Sequence, residues 1–109
     1  MDDAIDREAL LGFAEGDMDI ILRMAEIFTR SGPESMLAIR RALASGTEDD
    51  VRRSLHKLRG TLSDVGARLA LGVAERVGEA ATKTTTENAI RLLPELEFEV
   101  QRAVDQLVR

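Results

Sequence analysis

The chain contains a single histidine, His56, and no cysteine, so the choice of side-chain nucleophile is narrow. Placed on an α-helix, Arg52 and Arg53 fall one turn before His56, Arg59 and Gly60 one turn after, and Lys57 beside it. Positive charge gathered around an imidazole disfavours its protonated form. A neutral imidazole is a nucleophile, and the same cations can balance a transferred phosphoryl group. Arginine-rich faces are also common on solvated helices, so charge alone leaves an ordinary surface histidine as the alternative. Gly60 adds a second clue. Glycine inside a helix costs ~1 kcal/mol relative to alanine. Four residues after His56, it removes the side chain that would cover the ring from the next turn.

The helix that must position these residues is legible from its apolar spacing. Val51, Leu55, Leu58, Leu62 and Val65 recur every three or four residues. At about 100° per residue they lie within roughly 40° of a common line, with His56 about 140° and Gly60 about 180° from it. His56 therefore does not belong to the buried stripe. Thr47 followed by Asp50 forms an acidic variant of the capping box, so the helix is expected over Glu48 to Val65. Gly66 is a structural residue, placed to end it in a left-handed conformation.

The other elements are also helical, since β-branched alternation is missing. A short first helix is expected from Ala4 to Phe13, capped by Asp2 or Asp3, with Gly16 closing the approach to the next. The second begins at Asp17 and runs towards Ala44, with Ile21, Met24, Ala25, Phe28, Met36, Ile39 and Leu43 as its core face. Gly32-Pro33 is expected either to kink it or to mark where two helices meet. The fourth covers Ala67 to Ala81. The TKTTT stretch makes the last turn, and Thr85 or Thr86 caps a final helix from Glu87 to Leu107 that Pro94 bends. The fold class is therefore all-α: an up-down antiparallel four-helix bundle with a short N-terminal helix, in one domain over 1–109.

The composition narrows the function classes. With 44% hydrophobic and 32% charged residues, the chain has the balance of a folded globule rather than a disordered tail. Its formal net charge of -5 argues against nucleic acid or an anionic membrane as the main partner. Aromatic residues make up 3% and all are Phe, which leaves little for base stacking. The acidic N-terminus is unlike a secretory signal, and no apolar run reaches the ~20 residues of a membrane span. A cytoplasmic protein is expected.

The segment His56-Lys57-Leu58-Arg59-Gly60-Thr61-Leu62-Ser63-Asp64-Val65-Gly66-Ala67 resembles the signature of histidine-containing phosphotransfer (HPt) domains. That pattern is a histidine, a basic residue three later, glycine four later, a small hydroxyl residue next, and glycine-alanine ten and eleven later. The similarity extends to Gly16-Asp17, Phe28, Leu69 and Glu75. It implies a helical bundle that relays phosphoryl groups. His56 would be the acceptor, by analogy at Nε2, with Arg59 compensating charge and Gly60 giving access. Arg52, Arg53, Lys57 and Ser63 would face the partner. The partners implied are response-regulator receiver domains, or the receiver of a hybrid histidine kinase. Magnesium and the acidic pocket belong to the receiver, so no cofactor or metal is expected here, and a monomer is implied. Two positions depart from the family pattern. Arg59 stands where lysine is usual, with a wider donor fork. Gly78 lies near a position where many members carry glutamine.

The alternative reading is an HPt-like adapter that binds and inhibits a kinase or receiver without being phosphorylated. An enzyme is disfavoured, because no catalytic constellation accompanies the lone histidine. Met18, Met24 and Met36 are expected to fill core gaps. Asp2-Asp3 and Glu48-Asp49-Asp50 read as charges favoured by helix N-termini. Leu10, Leu11 and Phe13 are expected to cap the bundle, part of that surface bordering the docking face.

Overall fold

The computed structural model describes residues 3–83 and 86–107, and all regular structure among them is α-helical. Five helices follow in order: α1 (Arg7–Phe13), α2 (Met18–Ser45), α3 (Glu48–Asp64), α4 (Arg68–Lys83) and α5 (Thr86–Leu107). The four long helices close a ring, with α2 packed on α3 and α5, and α4 packed on α3 and α5. Their apolar stripes meet in one core centred on Phe28, Ile39, Leu58, Leu62, Val77, Leu93 and Leu96. No helix among the described residues is long and apolar enough to cross a membrane.

The N-terminus departs from expectation. The first helix starts at Arg7, because Asp6 is its cap and accepts from the Ala9 N–H at 3.0 Å. Asp3 does not cap it, and Asp2 lies outside the described residues. Ala4 and Ile5 are instead buried in a bent, non-helical lead-in, whose Ile5 N–H donates to Gln106 Oε1 on α5. Burial against the bundle outweighs the helix propensity of Ala4. Of the three apolar residues expected to cap the bundle, only Leu10 is buried, while Leu11 and Phe13 are 45% and 57% exposed.

Gly32-Pro33 neither splits α2 nor ends it. The 28 residues of α2 would span ~42 Å at 1.5 Å per residue, matching the 41 Å longest dimension of the molecule. Gly32 is buried, and a β-carbon there would lie 3.0 Å from the Phe28 ring and 3.3 Å from Val100 of α5. The glycine serves close helix packing, so tertiary contact overrides its tendency to break the chain. Pro33 sits beside it on the exposed side.

Other boundaries shift by a residue or two. Asp17 is the cap of α2 rather than its first residue, accepting from the Asp19 and Ile20 N–H groups. The fourth helix extends to Lys83, and Thr86 is already helical. The proposed cap Thr85 lies outside the described residues. Met36 is buried and Met24 half-buried as core fillers, whereas Met18 is exposed.

Candidate functional site

Helix α3 is fixed at both ends by local chemistry. The Thr47 hydroxyl accepts from the Asp50 N–H, and the Asp50 carboxylate accepts from the Thr47 N–H at 3.1 Å, completing the capping box. At the other end Gly66 adopts a φ of +73°, and the Gly66 N–H donates to the Ser63 carbonyl. Between these ends Leu55, Leu58 and Leu62 are buried, with Val65 at the cap and Val51 half-buried. The opposite face carries His56, Arg52, Arg53, Lys57, Arg59, Gly60 and Ser63, all exposed. A β-carbon at Gly60 would meet nothing within 4 Å. The space beside Gly60 is thus open, and His56 one turn before it is exposed.

The cations around His56 are not equivalent. Arg52 is ion-paired with Asp49, and Arg53 with Asp50 at 2.7 Å, each one turn back along the same helix. Among the described residues Lys57 and Arg59 have no ion pair. Of the four cations expected around His56, two are thus ion-paired, because the acids of the first turn serve the arginines as well as the helix dipole. The signal was present in the sequence, since Asp49 and Asp50 stand three residues before Arg52 and Arg53. The Thr47 N–H, with Arg53, holds the Asp50 carboxyl below its ordinary value of 3.8.

Two grooves flank the histidine. Between α2 and α3, Arg41, Arg53 and Lys57 face Glu34 and Asp50 above a floor of small side chains. Between α3 and α4, Arg52 and Arg59 face Glu48, Glu75 and Glu79 over Leu55, Ala74 and Gly78. At Gly78 a β-carbon would sit 3.7 Å from Leu55 Cδ1, so the helix surface there is low but not crowded.

Ile20 and Ile27, 43% and 53% exposed, also border this face and were not singled out from the sequence. They share one side of α2 with Ser31 and Ala38, which line the α2–α3 groove, so the apolar pair extends that wall. Their seven-residue spacing off the core stripe was the available signal.

The site is thus an exposed histidine on a bundle helix with an open turn beside it. The model of the Hpt domain family matches residues 23–109. The chain belongs to the Hpt domain family, whose work is histidine phosphotransfer in two-component signalling. Neither a curated protein nor a solved structure matches it significantly. Residues before 23, including α1 and the first turn of α2, lie outside the matched stretch.

Proposed function

We propose that His56 is a phosphorelay carrier site, taking a phosphoryl group from a receiver-domain phosphoaspartate and passing it to the aspartate of another receiver. The observation that carries this reading is the exposure of His56 beside the open space at Gly60. In the step itself the imidazole Nε2 lone pair bonds to phosphorus while the acyl-phosphate P–O bond breaks. The departing aspartate carboxylate keeps the electron pair. The second receiver reverses these events. Arg59, which has no ion pair among the described residues, balances the phosphoryl charge. Arg52, Arg53, Lys57 and Ser63 border the docking face, and Gly66 holds the turn below it. The chain acts as a monomeric cytoplasmic carrier with no cofactor of its own, the magnesium residing on the receiver.

The test is transfer of label from a panel of phosphorylated receivers to the wild type and to His56→Ala. Acid-labile, alkali-stable label on the wild type alone supports the carrier. A receiver that binds tightly and transfers nothing would replace this reading with the adapter.

A further inference from the structure

We infer that the two grooves beside His56 form a bipolar docking surface that fixes the rotational orientation of the receiver; this rests on reading His56 as the phospho-acceptor. The partner it fits is a receiver with acidic groups on one edge of its phosphoaspartate pocket and basic groups on the opposite edge.

The polarity emerges once internal ion pairs are removed. In the α2–α3 groove Arg53 is neutralised by Asp50, leaving Arg41 and Lys57 against Glu34 alone. In the α3–α4 groove Arg52 is occupied by Asp49, leaving Arg59 against Glu48, Glu75 and Glu79. These remaining groups are exposed, and none of them has an ion pair among the described residues. His56 lies on the ridge between. Lys57 is about 100° around α3 on one side and Arg59 about 60° on the other. The ridge therefore separates a positive flank from a negative one, in a chain whose net charge is -5.

Phosphoryl transfer needs the attacking nitrogen and the leaving oxygen in line, which leaves few productive orientations of the partner. A flank pair of one sign would attract a receiver in any rotation. Opposite signs select one rotation and penalise its reverse, so the charges act as a specificity device more than as a source of affinity. Because the groups are exposed, the effect is screened by salt over a Debye length of about 10 Å at 0.1 M.

The experiment measures transfer to His56 from a receiver that labels the wild type, at low and at high ionic strength. Arg41→Glu and the double variant Glu75→Lys/Glu79→Lys are each expected to raise KM about tenfold at low salt. Both losses should shrink as salt is added, and Arg41→Lys, which keeps the charge, should recover most of what Arg41→Glu loses. Unchanged KM in either reversal, or an increase that salt does not reduce, overturns the bipolar surface while leaving the acceptor role standing. A receiver that binds the chain tightly yet leaves His56 unlabelled instead overturns the carrier reading, and the docking inference with it.

Discussion

Gly66 and Asp6 meet backbone to backbone at the foot of α3. The Asp6 N–H donates to the Gly66 carbonyl at 2.6 Å, and a β-carbon on Gly66 would lie 2.7 Å from the Asp6 carbonyl oxygen. Arg68 reinforces the junction through an ion pair with Asp6 at 3.1 Å. Glycine is required here twice over, for its left-handed backbone and for the approach of the N-terminal segment. Gly66→Ala should therefore destabilise by about 2–4 kcal/mol, adding left-handed strain to a clash with backbone that cannot swing aside. Urea denaturation measures it. A loss no greater than about 1 kcal/mol, the strain alone, would mean the Asp6 contact does not constrain the turn.

Gly60 presents the opposite case. Its surroundings are open and its backbone is ordinary helix, so a side chain can be added without a clash. Gly60→Ala should stabilise the protein by about 1 kcal/mol through helix propensity. Gly60→Leu should keep most of that gain while slowing transfer to His56, because the new side chain covers the ring. A Gly60→Leu protein that transferred at the wild-type rate would remove the access argument.

The His56→Ala protein should be folded and close to wild type in stability, within about 0.5 kcal/mol, because the imidazole is exposed and fills no part of the core. Transfer should be abolished. Circular dichroism and thermal melting distinguish this from an unfolded variant, which would point to a structural role for His56.

Helix α3 was legible in detail because its signals are local. The capping box, the stripe from Val51 to Val65 and the glycine stop all act within a turn or two, and the exposed histidine follows from them. What could not be read depended on contacts distant in sequence. The buried Ala4 and Ile5 owe their position to Gly66 and Gln106, and Gly32 owes its glycine to Val100. The chemistry of the face around His56 was half legible. The cations were visible, but Asp49 was assigned to the helix dipole and Asp50 to the dipole and the capping box, so the neutralisation of Arg52 and Arg53 was missed.

Asp50 supplies a pH signature. Its carboxylate accepts from the Thr47 N–H and pairs with Arg53, and these contacts favour the charged form in the folded protein. A folded value below 3.8 means that its contribution is present above that value and is lost as the pH falls through the folded one. Asp50→Asn should thus be less stable than wild type near neutral pH, with the difference narrowing below about pH 4. Urea midpoints of the two proteins across the acid range measure the gap. A gap that stays constant down to about pH 2 would show that the carboxylate charge does not stabilise the cap.

The unequal pairing of the arginines yields a direct comparison. Arg59 lies one turn beyond His56 with no ion pair among the described residues, whereas Arg52, one turn before it, is held by Asp49. A charge already satisfied is less able to meet a new phosphoryl group, since its present partner must first be released. Arg59→Ala should slow transfer to His56 about tenfold, the equivalent of one lost charge-assisted hydrogen bond. Arg59→Lys should recover most of the rate, because the point charge remains even though the fork is lost. Arg52→Ala should stay within about threefold of wild type, since its loss also frees Asp49 and removes little net charge from the face. Single-turnover transfer rates decide the matter. Equal losses in Arg52→Ala and Arg59→Ala would show that the Arg52–Asp49 pair opens during docking, and that both guanidinium groups attend the phosphoryl group.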